Sequence, residues 1–278
     1  MRAVTMSHSR TELRELAHRY LASLGKAPDR EIALASDFRA TENGAEVAGG
    51  KGMLASSRGV AGTPGLFVDA QTGQAVAIGA LRLDAGLQPF ALRLLLMDNT
   101  VCEAEAIVSS IATGHFADVE KLLQPDVIYD TPVPPERGAT REELRDIADR
   151  YWAALEESDG SLIDVNYRAD RFANGKKITN NIELLASPDR AVHTIQTTLT
   201  ATRSARPIVR ERRYPVLDQE LGLAVSIAMA DFHPPATKDG HKPGTFYILN
   251  AYKIVDREIR IMDVIHEFMP HGARSGWA

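Results

Sequence analysis

Six side chains in the last quarter of the chain have the types and spacing for proton transfer. Leu223, Val225, Ile227 and Met229 alternate onto one strand face, and Asp231 and His233 continue it. A carboxylate beside an imidazole orients the ring and raises its basicity. The same pattern also describes a strand emerging into a polar loop before Pro234 and Pro235. On the last strand Asp263 interrupts the apolar face of Ile259, Ile261 and Ile265, and a carboxylate buried there needs a partner. His266 shares the opposite face with Val264 and Phe268. Asp263 and His266 each read as a catalytic group or as a satisfied structural hydrogen bond. Tyr252 and Arg212 complete the set, the first as a phenol that can move a proton. The second is a cation that could stabilise a phenolate or oxyanion, or belong to an exposed run with Arg210, Glu211 and Arg213.

Substrate-binding candidates lie nearby. Asn250 shares a face with Tyr252, so an amide and a phenol could hold one substrate oxygen. Tyr247 falls on the opposite face of the same strand. Tyr151 and Trp152 sit on a helical stripe, where they serve either as core or as stacking surface. The first part of the chain offers less. Asp37 and Arg39 share a strand face, as do Glu103 and Glu105, and structural ion pairs account for them.

Other chemistries find little purchase. His266-Glu267-Phe268-Met269-Pro270-His271 misses the H-E-x-x-H spacing by one residue, and Pro270 would break the helix that motif needs. No metal site is expected. There is no G-x-G-x-x-G, no phosphate loop and no G-x-S-x-G elbow, so no cofactor is expected. Cys102, the single cysteine, reads as a packing residue on a strand.

These side chains must be positioned by elements, and the elements repeat. Residues 12–24 read ELRELAHRYLASL and residues 143–155 read ELRDIADRYWAAL, identical at eight of thirteen positions. Asn43-Gly44 recurs as Asn174-Gly175 at the same offset of 131. Further on, Asp69–Gly73 resembles Asp218–Gly222, and Met97–Val101 resembles Val255–Ile259. The offset grows in steps, as a duplication with longer second-copy loops requires. Each copy opens with an amphipathic helix, and Ser9 with Glu12 and Thr140 with Glu143 have capping-box spacing.

After each helix the period changes to two. Strands are expected over Ala75–Leu83, Phe90–Met97 and Val101–Val108 in the first copy. In the second they are expected over Ile163–Ala173, Arg190–Thr202, Leu221–Phe232, Thr245–Val255 and Glu258–Phe268. A short helix is expected over His115–Leu123. The resulting division is a first domain at 1–124, a proline-rich linker at 125–139 and a second domain at 140–278. One helix followed by a run of strands, twice, is an α+β architecture.

Composition is that of an ordinary globular chain: 278 residues, 44% hydrophobic and 25% charged. The net charge of −5 gives no pull toward nucleic acid or anionic lipid. The longest apolar run, Leu221–Ala230, is too short to span a bilayer. A single cysteine and no secretory pattern in the opening residues lead us to expect a cytoplasmic protein.

Tyr20-Leu21-Ala22 with Asp37–Gly44, its second-copy version Arg150-Tyr151-Trp152 with Arg171–Gly175, the segment Arg212–Asp218 and the terminal Ser275-Gly276-Trp277 together resemble a tandem SnoaL-like, nuclear transport factor 2-like protein. The resemblance implies two cone-shaped domains, each a curved antiparallel sheet wrapped on helices around an apolar pocket. It includes cofactor-free bacterial lyases of lignin-derived diaryl compounds, which expel formaldehyde. The expected function is therefore a cofactor-independent lyase or dehydratase acting on a small aromatic alcohol. An isomerase, a cyclase and a non-catalytic binding or assembly protein are the alternatives. A homo-oligomer is expected, with the active pocket in the second copy, where His, Tyr and Trp concentrate.

Overall fold

A computed structural model describes residues 9–26, 32–48, 51–113, 117–183, 193–205, 207–233 and 243–277. Two six-stranded sheets carry the chain. The first half contributes β1 (Ala33–Glu42), β2 (Ala45–Val47), β3 (Val60–Asp69), β4 (Gln74–Leu83), β5 (Gly86–Met97) and β6 (Thr100–Val108). The second contributes β7 (Val165–Ala173), β8 (Lys176–Lys177), β9 (Ile208–Asp218), β10 (Leu223–Phe232), β11 (Gly244–Val255) and β12 (Glu258–Pro270). Their strand orders are β2-β1-β6-β5-β4-β3 and β8-β7-β12-β11-β10-β9, the same path twice. Helices α1 (Arg10–Ser23) and α3 (Arg141–Glu157) open the two halves, and both capping boxes are formed.

The turns repeat as well. Asn43 and Asn174 adopt φ 47° and 46°, each followed by a glycine also at positive φ. Asp98-Asn99 and Asp256-Arg257 both lie at positive φ, the backbone of a type I′ hairpin. The register makes the repeat a residue-by-residue equivalence. Phe90 pairs with Val108 as Ile248 pairs with His266, and Ala75 pairs with Leu94 as Ala224 pairs with Tyr252.

The layers are helix, sheet, sheet, helix. Leu13, Leu16, Ala17 and Leu21 of α1 bury against Leu92, Leu94 and Ala104. Leu144, Ile147, Ala148, Tyr151 and Trp152 of α3 bury against Ala224, Ala228 and Met262. The opposite faces of the two sheets pack on one another, with Phe67, Val76 and Ile78 against Val225, Ile227 and Ile265. β10 is thus buried on both faces, which is why its sequence is nearly continuously apolar. Each such Leu or Ile contributes about 2 kcal/mol by leaving water.

Several expectations are corrected. The sheets are mixed, because β1 runs parallel to β6 and β7 parallel to β12. Residues 193–202 of the expected strand Arg190–Thr202 form no strand. A short helix α4 (Ile195–Thr200) and a 3-10 turn (Ala201–Ala205) replace it, and residues 190–192 lie outside the described residues. Alternating threonines imitate a strand, but here they hydrogen-bond locally. Thr194 caps α4, while Thr198, Thr200 and Thr202 donate to the carbonyls of Ile195, Gln196 and Leu199. The expected helix over His115–Leu123 is a 3-10 turn at Val119–Leu123, with 115 and 116 outside the described residues. β3 and β9 escape the period-two reading. One contains Gly62, Pro64 and Gly65, the other four consecutive charges and Pro215, and both pair with register shifts.

Among the described residues no helix is long and apolar enough to cross a membrane.

Candidate functional site

The second half holds a cavity of about 860 Å³ between α3, α4 and the α3-facing side of its sheet. Its walls are apolar: Tyr151, Trp152 and Leu155 from α3, Leu199 from α4, Phe232, Phe246, Ile248, Val264 and Phe268 from the strands. Alanines 224, 228 and 230 on this sheet face are small, so α3 sits close while the outer end stays open. The equivalent space in the first half is about 150 Å³. There the short helix α2 (Gly52–Ser56) buries Leu54, and Glu42 accepts the Met53 and Leu54 amides at 2.5 and 2.8 Å.

A few polar groups enter this apolar chamber. His266 lies on β12, buried, with its backbone pinned by Asn174. The Asn174 Oδ1 accepts the His266 amide at 3.0 Å and its Nδ2 donates to the His266 carbonyl at 3.2 Å. The imidazole makes an edge contact with Phe246 and has no hydrogen-bond partner among the described residues. Burial, and then the Arg171 cation, lower its pKa to about 4. Asn250 is fully buried and donates to the Tyr252 hydroxyl at 2.8 Å, leaving its carbonyl without a partner. Exchanging the amide ends would leave the NH₂ free instead, so one end of Asn250 is unpaired in either assignment. Trp152 is fully buried, with its indole N–H likewise unpartnered. Arg171 of β7 and His193 also line the cavity, and the Arg171 Nε is buried without an acceptor.

The expected residues thus divide. His266, Asn250, Tyr151 and Trp152 line the chamber, with Tyr252 directly behind Asn250 and in edge contact with Tyr151. The other five lie elsewhere. Asp231 does continue the Leu223–Met229 face, but that face looks toward the first half. Its carboxylate is held by Arg210 at 2.9 and 3.1 Å and by Thr245, with Arg210 keeping it below the usual carboxylate range. His233 meets His271 through their Nε2 atoms at 2.7 Å, outside the chamber. Arg212 pairs with Asp149 and Glu156 of α3. Tyr247 donates to Glu105 of the first half. Asp263 faces a separate cleft of about 550 Å³ between the halves, beside Tyr129. Burial pushes its carboxyl up to about 6, offset in part by the nearby Tyr129 phenol.

Period-two reasoning separated the faces correctly but could not tell which face looks into the chamber. It also missed Arg171. The repeat itself marks that residue. The first-half equivalents of Trp152, Arg171, Asn250, Tyr252 and His266 are Leu21, Ala40, Leu92, Leu94 and Val108. These five positions of the second half are all apolar in the first, whereas Tyr151 keeps its tyrosine as Tyr20.

Residues 137–266 match the family model of a domain of unknown function, DUF8021. No curated protein is significantly similar to the chain. Solved structures similar to parts of it include two of low identity. One is a nuclear transport factor 2-like protein of unknown function from Cytophaga hutchinsonii, at 8% identity and TM-score 0.30, covering 46% of this chain and 99% of that one. The other is a putative calcium/calmodulin-dependent protein kinase II association domain from Xanthomonas campestris. It has 15% identity and TM-score 0.29, and covers 57% of this chain and 99% of that one. The two six-stranded sheets with their helices make the fold α+β.

Proposed function

We propose that the second-half chamber is the active site of a lyase or dehydratase acting by general acid–base chemistry on a small aromatic alcohol. The observation that carries this reading is His266: a buried, unpartnered imidazole in an aromatic-walled cavity. Lowered to about 4 by burial and Arg171, it is unprotonated at neutral pH and free to accept a proton, and an anion bound beside it would raise its basicity toward working pH. Asn250 and the Trp152 N–H, both unpaired, supply an acceptor and a donor for a substrate hydroxyl. Tyr151 and the chamber phenylalanines give the arene its apolar contact.

The concrete version takes a phenolic diarylpropane diol. Loss of the phenol proton and of the benzylic hydroxyl as water leaves a quinone methide. Deprotonation of the terminal alcohol then expels formaldehyde, and the electron pair of the broken carbon–carbon bond returns the phenol and forms a stilbene. Water and formaldehyde are the only other products, so the reaction is redox-neutral and acid–base groups suffice. His266 takes a proton, and the Arg171 cation faces the developing anion.

The test is incubation with a panel of such diols, following formaldehyde and stilbene absorbance. His266→Gln should lower kcat by about 10²-fold or more. Asp231→Asn, whose carboxylate is tied to Arg210 outside the chamber, should stay within a few-fold. Equal turnover by His266→Gln would sink the assignment. A second reading is a ligand-binding protein without chemistry. It is favoured by the lack of any carboxylate among the described lining residues to orient His266.

A further inference from the structure

We infer that the natural ligand of this chamber is an anion, an aromatic or similarly apolar molecule bearing a carboxylate that docks on Arg171. The inference rests on the chamber being a ligand site and goes further by fixing the ligand's charge. The described lining contains one arginine and two histidines, His193 and His266, and no Asp or Glu. Arg171 forms no ion pair among the described residues, although its Nε is buried. A half-buried guanidinium whose Nε is withdrawn from water without an acceptor loses solvation that a ligand's counter-charge restores.

Among the described residues, three acids on the elements around the chamber are engaged elsewhere. Asp170, the preceding residue, pairs with Lys177 at 2.8 Å. Glu156 is bound by Arg212, and Glu267 accepts from Ser110 at 2.7 and 2.8 Å. None of these three pairs with Arg171. The fully buried Trp152 N–H is a further donor without an acceptor in the same chamber. The first half supports the same conclusion by contrast. There the Arg171 position is Ala40, the Trp152 position is Leu21, and the chamber is largely filled. The arginine and the larger cavity occur together in one copy, while the other has alanine at that position and a space of about 150 Å³ where Lys26 and Lys51 are accompanied by Glu42. Arginine is the residue suited to such a ligand, because its planar fork matches a carboxylate through two parallel hydrogen bonds.

Three probes of one shape decide the question: biphenyl-4-carboxylate, biphenyl-4-carboxamide and the biphenyl-4-methylammonium cation. They are titrated calorimetrically into the full chain at neutral pH. The carboxylate should bind at least about tenfold tighter than the amide, the size of one charge-assisted hydrogen-bonded contact, and the cation weakest. Arg171→Gln should reduce carboxylate affinity to that of the amide and leave the amide within threefold, which also shows that the variant is folded. Arg171→Lys should recover part of the preference. Carboxylate binding near pH 5 should also take up a proton, because an anion beside His266 raises its basicity, and His266→Gln should abolish that uptake. Equal affinities for carboxylate and amide would overturn the inference, as would a preference that survives Arg171→Gln or no binding of any probe. Failed turnover with the carboxylate preference intact would remove only the lyase reading. Turnover without a charge preference would remove only this one.

Discussion

Arg141, the first residue of α3, forms a bidentate ion pair with Asp69 of the other half, at 2.7 and 3.1 Å. Arg10, the first residue of α1, does the reverse with Asp218, at 2.6 and 3.0 Å. Arg10 and Arg141 are repeat equivalents, and so are Asp69 and Asp218. The contact is therefore made twice, once in each direction, as in a self-complementary interface between two copies. Here both copies belong to one chain, and the sheet face that an oligomer could use is covered by its own second half.

Removing a buried partner from such a pair leaves the other charge uncompensated. Asp69, whose side chain is 1% exposed, also accepts the Leu217, Gln71 and Thr72 amides. Asp69→Ala should cost about 3 kcal/mol in urea unfolding. Asp218→Ala should cost less, since Arg10 is 31% exposed and can turn to Glu220 at 2.9 Å. A cost below about 1 kcal/mol for Asp69→Ala would show that the pair does not hold the halves together.

Glu105 is the second cross-half anchor. Its buried carboxylate accepts from Arg93 at 2.6 Å, from Arg213 at 2.5 and 2.8 Å, and from the Tyr247 hydroxyl. Burial works to raise this carboxyl, but Arg213, Arg93 and Tyr247 outweigh it and hold it below the usual range. A carboxyl depressed in the folded state contributes stability above its unfolded pKa of about 4.3, and that contribution is lost as pH falls through the folded value. Glu105→Gln should therefore destabilise at pH 7 by about 3 kcal/mol and less at lower pH. A penalty that does not shrink on acidification would show that the charge is not what matters.

How far this was readable in advance depends on what fixed each feature. The two opening helices, their caps and the duplication were legible because they rest on local chemistry: Ser9 with Glu12, Thr140 with Glu143, Asn43-Gly44 with Asn174-Gly175. β3 and β9 were hidden by glycine, proline and charge at bulges whose reason is curvature and contact with the other half. Of the site, His266 and Asn250 followed from alternation, but alternation alone could not say that the Asp231 and Asp263 face meets a second sheet. That requires knowing that the copies pack back to back. Arg171 needed comparison of one copy with the other, since by itself an arginine after Asp170 is an ordinary strand residue.

Asp263 and His266 lie three residues apart on β12 and respond oppositely to acid. The Asp263 carboxyl, raised to about 6 from an unfolded value near 3.9, binds more protons folded than unfolded in that window. Its ionisation therefore costs stability as pH rises from about 4 to 6, and the cost persists above. His266, lowered to about 4 from about 6.5, binds fewer protons folded, so it costs stability as pH falls across nearly the same window. Asp263→Asn should stabilise the chain by about 1 kcal/mol at pH 7.5 and lose that gain by pH 4. Thermal melts across pH 4–8 read this directly, and a gain that is constant with pH would point to packing in place of charge.

His266→Val restores the residue that the first copy holds at this position, Val108. The Asn174 clamp on the backbone does not involve the imidazole, so it should survive the change. Asn43 makes the same clamp on the Val108 amide and carbonyl at 2.9 and 3.0 Å, which shows that valine suits the position. The variant should match the parent's Tm at pH 7.5 within the effect of about 1 kcal/mol. It should exceed the parent at pH 5, where the unfolded imidazole gains a proton that the folded one resists. Turnover or proton-linked carboxylate binding should vanish in the same variant. A residue kept for function is expected to be neutral or costly for stability. If His266→Val instead lowers stability by 2 kcal/mol or so at both pH values, His266 is a structural residue and the base must be sought elsewhere in the chamber.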